Sequence, residues 1–369
     1  MFEKWQRRLA EAMDQQGAWP ERSPWIRSAM EAVPRQLFAP DRLWRWNGDG
    51  YAPLDREAAA EQWAAEIYGR PHDPAVTQVT AGRPTSSLSA PSIVADMLDS
   101  LLLEPGQRVL ELGTGTGWNA ALLARRAGPG LVHSVENDPG LAEAAAERLG
   151  RAGAGVTVHT GDGTDGRPGE GPYDRVQATF AVEDIPWAWV AQTRPGGRIG
   201  APWGQLGHVA LTVAEDGQSA TGWFQGYAAF MPTFRAERRL TWSEVRGTLP
   251  PEDEHRPDWD VRLLQDGDLL FTLRIALPDV DIAIQGGEQP TAWLHDGRSS
   301  WAKIVTQGSE PAVAYQGGPR RLLDELRTPE ERWRADGRPS LYDFGMTVEP
   351  DRQFVWYRDP VNGQVTSAA

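Results

Sequence analysis

The sequence predicts an α/β protein with a doubly wound, mostly parallel sheet and a C-terminal α+β domain. Short apolar runs alternate with helical segments through the centre of the chain, as expected for strands joined by crossover helices. One of these runs leads directly into a glycine-rich segment, Gly113–Gly117. The length of 369 residues exceeds the roughly 250 residues at which single cores usually stop growing, so a second domain is expected.

The first ninety residues are predicted to be helix and loop. Ser23-Pro24 begins a helical pattern that Pro34 ends. The stretch from Asn47 to Ala90 is rich in Gly, Pro, Ser and Thr around one helical segment, Arg56–Ile67. We interpret this stretch as a lid or arm, and we assign residues 1–90 to an N-terminal arm of helix and loop.

The central part of the chain predicts the parallel sheet, and we place the main domain at residues 91–230. Its five strands are expected at Arg108–Leu112, Leu131–Val135, Val156–His159, Tyr173–Ala178 and Arg198–Ala201. Helices are expected between them at Ala120–Ala127, Pro139–Arg151 and Asp184–Gln192. Two further strands, His208–Val213 and Thr221–Phe224, should form a hairpin that closes the edge of the sheet.

Residues 231–369 show a different pattern, which we assign to an α+β domain that binds substrate. Leu269–Ile275 and Val280–Ile284 alternate as antiparallel strands do, and Thr291–Val305 predicts a hairpin around Asp296-Gly297. A helix is expected from Gly318-Pro319 to about Trp333, followed by a last hairpin of Leu341–Val348 and Gln353–Tyr357. This part of the sequence contains no catalytic motif.

Composition excludes several classes of function. The 51 acidic and 37 basic residues give a formal charge of -14, which disfavours nucleic acid and anionic membrane as partners. The absence of cysteine excludes disulfides, thiolate metal sites and a thiol nucleophile, and the six histidines lack the spacing of metal ligands. The first residues are charged, and no run of about 18 apolar residues occurs, so we expect a cytoplasmic protein.

Tryptophan is unusually frequent in this chain. Its 17 residues outnumber the 9 phenylalanines and 7 tyrosines. Tryptophan-rich surfaces often bind peptide or sugar, although buried packing is the simpler interpretation for any single residue.

The glycine-rich segment predicts a cofactor site. Gly113-Thr114-Gly115-Thr116-Gly117 lies between a strand and a helix that should begin near Trp118. Glycine allows close approach of the backbone to a ligand, and the helix N-terminus directs free N–H groups to the same place. The dinucleotide pattern G-x-G-x-x-G would need glycine at Trp118, and the G-K-[ST] of a P-loop is absent. The segment Glu111–Gly117 instead has the E-x-G-x-G-x-G pattern of class I S-adenosylmethionine (SAM) methyltransferases.

Two further acids follow in the order that this pattern requires. Glu136 ends the next predicted strand, where a carboxylate can accept both ribose hydroxyls, and Asp162 ends the one after, near the adenine amino group. The alternative is that the glycines only build a turn and the acids are solvated loop charges. We predict that SAM binds here, with S-adenosylhomocysteine as product, to Glu111, Gly113, Thr114, Gly115, Gly117, Glu136, Asp162 and Gly163.

At these positions the sequence resembles the protein-L-isoaspartate O-methyltransferase family. The resemblance covers roughly residues 30 to 215 and includes a specific S-x-S-A-P element that generic class I enzymes lack. The matching motifs are Val33–Phe38 (VPRQLF), Ser87–Pro91 (SLSAP), Val109–Gly117 (VLELGTGTG), Gly161–Gly163 (GDG) and Pro195–Pro202 (PGGRIGAP).

The resemblance implies roles for residues near the acceptor. Ser89 would lie beside the transferred methyl group and the substrate carboxylate, with Ser87 supporting the loop or the cofactor. The alternative for Ser89 is a cap for the helix that begins near Ser92. Substrate contacts are predicted for Ser87, Leu88, Ala90, Thr179, Phe180, Ala181 and Val182, the last four standing where repair enzymes have a run of small residues.

The sequence is consistent with three functions, which we rank. The extended C-terminal part resembles a subgroup associated with ribosomally synthesised modified peptides (lanthipeptides, lasso peptides and graspetides). Such enzymes methylate a precursor aspartate, and the ester then closes to an aspartimide. We expect this function first, repair of isoaspartyl damage in proteins second, and a SAM-binding protein without turnover third. The acceptor would be a peptide or protein with an aspartyl or isoaspartyl residue.

Overall fold

The structure is a computed structural model that describes residues 1–204, 206–233, 239–248, 250–257, 261–306, 312–361 and 364–367. The chain divides into two compact units. The first contains Met1–Phe234 and Met346–Gln353, and the second contains Arg235–Gly345 and Phe354–Ala369. The three-part division at residues 90 and 230 stays a prediction.

The N-terminal part of the first unit, up to residue 233, contains seven α-helices and eleven strands among its described residues. The helices are α1 (Phe2–Gln15), α2 (Trp25–Ala32), α3 (Ala60–Tyr68), α4 (Pro91–Ser100), α5 (Trp118–Ala127), α6 (Pro139–Arg151) and α7 (Trp187–Ala191). The strands are β1 (Arg42–Trp46), β2 (Tyr51–Asp55), β3 (Ala75–Thr80), β4 (Arg83–Leu88), β5 (Val109–Leu112), β6 (Val132–Glu136), β7 (Val156–Thr160), β8 (Tyr173–Ala178), β9 (Thr193–Trp203), β10 (Gly207–Val213) and β11 (Ala220–Tyr227).

The main sheet confirms the predicted α/β fold class. Its parallel strands stand in the order β7-β6-β5-β8-β9, and β10 and β11 continue it in antiparallel pairing. All four side chains of β5 are buried, as expected for the central strand of a parallel sheet. The carboxyl ends of β5, β6 and β7 therefore lie at one edge of the sheet, and the glycine-rich segment and the two predicted acids stand at these ends.

A second sheet in the first unit corrects the predicted arm of helix and loop. Strands β1 to β4 form an antiparallel sheet in the order β2-β1-β3-β4 within residues 42–88. Only Leu43 is buried in β1 and only Leu54 in β2, so the alternation of apolar and polar residues is too weak to indicate strands. Trp63 and Tyr68 of α3 are fully buried, which makes this stretch part of the core.

The second unit is built on a five-stranded antiparallel sheet in the order β12-β16-β15-β14-β13. Its core lies between this sheet and two helices, with buried side chains from both. Its elements are α8 (Trp242–Arg246), β12 (Asp253–His255), α9 (Gly267–Ala276), β13 (Asp281–Gln285), β14 (Thr291–His295), β15 (Trp301–Val305), β16 (Val313–Gly317) and α10 (Leu322–Ala335).

One strand prediction in this unit is wrong. Leu269–Ile275 lies in the helix α9, which begins after Asp266. The Asp266 carboxylate caps the helix by accepting hydrogen bonds from the backbone N–H groups of Asp268 (2.9 Å) and Leu269 (3.3 Å). The helix is apolar around most of its circumference, so its sequence lacks the one-sided period that marks a surface helix.

The other strands and the long helix predicted for this region are confirmed, except that Leu341–Asp343 forms a short 3₁₀ helix. Substrate binding by this region stays a prediction. Strand β13, the β14–β15 hairpin and helix α10 occur where expected. The last hairpin is β17 (Phe344–Glu349) and β18 (Arg352–Tyr357), followed by β19 (Gln364–Ser367). Residues Met346–Gln353 of this hairpin belong to the first unit, where the Thr347 and Thr221 hydroxyls are hydrogen bonded at 2.6 Å. Within the described ranges, no helix has the length and apolar character needed to cross a bilayer.

Candidate active site

The glycine loop, residues Gly113–Gly117, joins the end of β5 to the start of α5. Its three glycines all have positive φ, at 92°, 53° and 90°, a conformation that other residues rarely adopt. A Cβ at Gly113 would stand 2.5 Å from the Thr179 hydroxyl oxygen, and a Cβ at Gly117 would stand 3.2 Å from Leu149. A Cβ at Gly115 would have no neighbour closer than 3.8 Å. The loop is therefore packed on the protein at its ends and open in the middle, as a ligand cradle requires.

The two predicted acids stand at the same sheet edge as this loop. Glu136 at the end of β6 is 9% exposed, and its carboxylate accepts hydrogen bonds from the backbone N–H groups of Gly115 (2.8 Å) and Asp138 (3.1 Å). Asp162 follows β7, and one of its oxygens accepts from the Thr164 N–H (2.8 Å) and hydroxyl (2.6 Å). Binding of the ribose by Glu136 and of the adenine by Asp162 stays a prediction.

Glu111 and Thr114 lie beneath the loop. The Glu111 carboxyl is fully buried and accepts hydrogen bonds from the Asn119 amide (2.8 Å) and from the Ser134 hydroxyl. The Thr114 hydroxyl joins the same network at 2.6 Å from the Ser134 oxygen. The structure thus places both side chains where they support the glycine loop, and direct contact of either with the cofactor stays a prediction.

Burial raises the pKa of the Glu111 carboxyl to about 7. The hydrogen bonds from Ser134 and Asn119 oppose this rise, and the nearby charge of Glu136 adds to it. Near neutral pH, Glu111 therefore exchanges a proton in the folded state, at a position that stabilises the loop.

The predicted acceptor segment leaves the end of β4 next to the glycine loop. Leu88 and Ala90 are buried, whereas Ser87 and Ser89 are partly exposed. A Cβ at Gly115 would stand 3.9 Å from the Ser87 carbonyl oxygen. Helix α4 has Ala90 as its N-cap, with no side-chain capping bond, so Ser89 is not the cap that the alternative interpretation required.

Arg35 is a functional candidate that the sequence reasoning did not single out, although the residue is part of the quoted VPRQLF motif. It is fully buried, and its guanidinium donates to the carbonyl oxygens of Ile67 (2.6 Å), Ser89 (2.8 Å) and Leu88 (3.4 Å). It also lies 4.4 Å over the ring of Trp118, the first residue of α5. Arg35 therefore links the serine segment to the helix that follows the glycine loop. Burial lowers the pKa of Arg35 to about 9, so it stays charged at neutral pH.

Asp138 is a second residue that the sequence reasoning missed. It caps α6 by accepting from the Gly140 and Leu141 N–H groups, and its other oxygen accepts from the Gln78 amide of β3 at 3.1 Å. The Gln78 bond holds the pKa of Asp138 below its usual value. The Asp-Pro pair at the start of α6 is a sequence signal for the cap. The hydrogen bond from Gln78, which joins the four-stranded sheet to the edge of the parallel sheet, has no such local signal.

The segment after β8 has two different parts. Thr179 and Phe180 are partly exposed beside the glycine loop, with the Thr179 hydroxyl 3.2 Å from the Leu112 carbonyl oxygen. Ala181 and Val182 are buried and joined to neighbouring segments by backbone hydrogen bonds. Trp189 is fully buried, packs against the Phe180 ring and donates to the Gly163 carbonyl oxygen at 2.8 Å, which favours a packing role for this tryptophan.

These features define a class I SAM-dependent methyltransferase. Among the described residues, no cluster of three or more His, Asp or Glu is suited to hold a metal ion. The family model of protein-L-isoaspartate(D-aspartate) O-methyltransferases matches residues 6–222. The chain belongs to this family, and is therefore a carboxyl O-methyltransferase that uses SAM.

Individual relatives agree with this assignment. The protein-L-isoaspartate O-methyltransferase of Hyperthermus butylicus is 36% identical over 225 residues, which is 58% of this chain and 81% of the relative. That of Pyrococcus horikoshii is 36% identical over 205 residues, or 55% of this chain and 79% of the relative. A solved protein-L-isoaspartate O-methyltransferase shares the fold with a TM-score of 0.51 and 19% identity, over 97% of this chain and all of the solved one.

We expect Glu136→Ala to weaken SAM binding by about 1.5–3 kcal/mol, because the carboxylate should make charge-assisted hydrogen bonds to the ribose. Isothermal titration calorimetry with SAM measures this change. Glu143→Ala, an exposed glutamate on α6, is the matched control and should bind as the unaltered protein does. Unchanged affinity in Glu136→Ala would remove Glu136 from the cofactor site.

Glu111→Gln should reduce the pH dependence of stability. In the folded state Glu111 keeps its proton up to about pH 7, whereas the unfolded chain releases it near its ordinary pKa of 4.5. The free energy of unfolding should therefore fall as pH rises between these values, by at most about 3 kcal/mol from this residue. Urea denaturation at about pH 5 and pH 8 measures the fall in both proteins. If the free energy of unfolding of Glu111→Gln fell by the same amount, the pH dependence could not come from a buried Glu111 carboxyl.

Proposed function

We propose that the protein transfers a methyl group to the free carboxylate of an L-isoaspartyl residue in a polypeptide. The observation that carries this proposal is the position of the S-x-S-A-P element, which begins in the last two residues of β4, beside the open glycine of the glycine loop. The relatives from Hyperthermus butylicus and Pyrococcus horikoshii, which carry the name of this activity, align over most of their own length and support it.

The proposed chemistry needs little from the protein beyond alignment. An acceptor carboxylate with a pKa near 4 is ionised at pH 7, so no general base is required. Bound SAM supplies a methyl carbon on a positively charged sulfur; the carboxylate oxygen–carbon bond forms as the carbon–sulfur bond breaks, and the electron pair stays on sulfur. Holding acceptor and donor in this geometry can contribute roughly 7–11 kcal/mol in the best intramolecular cases.

In this proposal, Ser89 orients the acceptor. Its hydroxyl donates a hydrogen bond to one carboxylate oxygen and leaves the other free to react. Arg35 holds the Ser89 carbonyl oxygen, so it acts on the position of the serine rather than on the substrate. Thr179 and Phe180 form the side of the acceptor pocket, while Ala181 and Val182 support it from below.

Methylation of an ordinary aspartate in a ribosomal peptide precursor is the second candidate. One observation favours it: residues 223–369 lie outside the family match, and it is this extended part that resembles the peptide-tailoring subgroup. A solved protein-L-isoaspartate O-methyltransferase nevertheless aligns with 97% of this chain. An extended chain therefore does not separate the two candidates, and we rank isoaspartyl methylation first.

We expect the protein to methylate an isoaspartyl hexapeptide, and Ser89→Ala to lose about tenfold or more in kcat/KM. A hydrogen bond to a charged group contributes roughly 1.5–3 kcal/mol, and every 1.4 kcal/mol is a factor of ten. Mass spectrometry of the methyl ester measures turnover, and calorimetry should show unchanged affinity for SAM.

Two comparisons make this test decisive. Ser28→Ala, at an exposed serine of α2, should keep full activity. The same hexapeptide with ordinary aspartate should not be methylated. Methylation of the aspartyl peptide alone would favour the precursor-tailoring candidate, and full activity of Ser89→Ala would remove the serine from the site.

A further inference from the structure

The four-stranded sheet carries one continuous row of residues that begins beside the cofactor loop. Directly paired residues of antiparallel strands project from the same face of a sheet. The row that contains Ser87 is Ser87 on β4, Val76 on β3, Trp44 on β1 and Pro53 on β2. None of these four side chains is buried.

The opposite face of the sheet is core. Leu88 pairs with Ala75, and Leu43 pairs with Leu54, and all four are buried. Arg45 also projects from that side and meets Glu66 of α3 at 3.8 Å. The row through Ser87 therefore lies on the face that points away from the core, which we call the outer face.

Aromatic side chains extend the outer face along the β1–β2 hairpin. Trp46 pairs with Tyr51, and this pair lies two residues closer to the β1–β2 turn than the pair of Trp44 and Pro53. Their rings meet edge to face with centroids 5.3 Å apart, and Trp46 remains 56% exposed. The outer face thus includes Ser87, Val76, Pro53, Trp44, Trp46 and Tyr51. On the other side of Trp44 it carries the ion pair of Arg42 and Asp55.

The outer face begins at Ser87, two residues before Ser89 of the proposed acceptor site. Strands in a sheet are about 4.8 Å apart, so Trp44 stands about 10 Å from Ser87 across β3. An extended polypeptide rises about 3.3 Å per residue, so a chain crossing the sheet from the serine segment reaches Trp44 after about three residues. Tryptophan and tyrosine offer large, rigid contact areas and are the residues on which polypeptide partners most often depend.

We propose that the outer face binds the polypeptide segment that flanks the methylated residue, with a bulky apolar side chain, about three residues away, packed on Trp44 and Trp46. This inference rests on the proposed function, because it requires a polypeptide acceptor at Ser89. It adds a preference of sequence to that function. An acceptor with such a side chain is methylated faster than one without it.

The test compares two heptapeptides with the isoaspartyl residue at the centre. In both peptides every other position is glycine, except that one peptide carries leucine at both ends, three residues from the centre. The unaltered protein should prefer the leucine peptide by about tenfold in kcat/KM, since burial of a leucine side chain is worth that much or more. Trp46→Ala should reduce the ratio to near one, and Trp46→Phe should keep most of it.

Controls separate this inference from its alternatives. Tyr342→Ala, a 59% exposed aromatic of the second unit, should keep the full preference. Trp46→Ala should still unfold in one cooperative transition in urea, with a midpoint lowered only by the loss of the ring contact with Tyr51. Fluorescence polarisation of the two heptapeptides, each labelled with fluorescein and measured with S-adenosylhomocysteine present, should show the same ratio of affinities without turnover.

Three results would overturn the inference. The unaltered protein could methylate both heptapeptides equally, or Trp46→Ala could keep the preference for leucine; either result leaves the proposed function intact. A halved molecular mass of Trp46→Ala in sedimentation would show that a second copy of the chain covers the face instead. Failure of the unaltered protein to methylate any isoaspartyl peptide would contradict the proposed function itself, and this inference with it.

Discussion

A buried guanidinium connects the parts of the candidate site. Arg35 is surrounded by protein, and its charge is balanced by three carbonyl oxygens and the face of Trp118. Removing a charged group from water is costly unless its hydrogen bonds are replaced, so these partners are held in place as firmly as the arginine is. The serine segment after β4 and the start of α5 are thereby fixed relative to each other. The proposed site depends on this constraint, because methyl transfer requires donor and acceptor to be aligned.

The need for alignment also explains why the site contains so few reactive groups. An ionised carboxylate and a sulfonium need neither a base nor a metal, so the residues at the edge of the sheet act by holding the reactants in position. Glu136 is fixed by two backbone N–H groups, and Glu111 supports the glycine loop from below. Asp138 joins the four-stranded sheet to this edge through Gln78. The proposed peptide contacts on the outer face follow from that junction, since it places β4 beside the cofactor loop.

The sequence predicts the parallel sheet, and the glycine loop and acids at its edge, because these depend on local signals; that these residues hold the cofactor stays a prediction. The apolar run Val109–Leu112, the three glycines that follow it and the acids at the ends of the next two strands can all be recognised in the sequence. The sequence does not indicate the four-stranded sheet because β1 and β2 bury one residue each, and it suggests a strand at Leu269–Ile275 because apolar residues surround the helix α9. The role of Arg35 depends on carbonyl groups 32 to 54 residues away, which no local pattern reveals.

The central claim is that the glycine loop, the two carboxylates and Ser89 form a single methyl-transfer site. The most direct measurement is a crystal structure of the protein with S-adenosylhomocysteine and an isoaspartyl peptide. We predict that Glu136 binds the ribose hydroxyls and Asp162 the adenine, and that the peptide carboxylate lies between the Ser89 hydroxyl and the sulfur. A carboxylate bound away from Ser89, or a ribose that does not contact Glu136, would contradict this account.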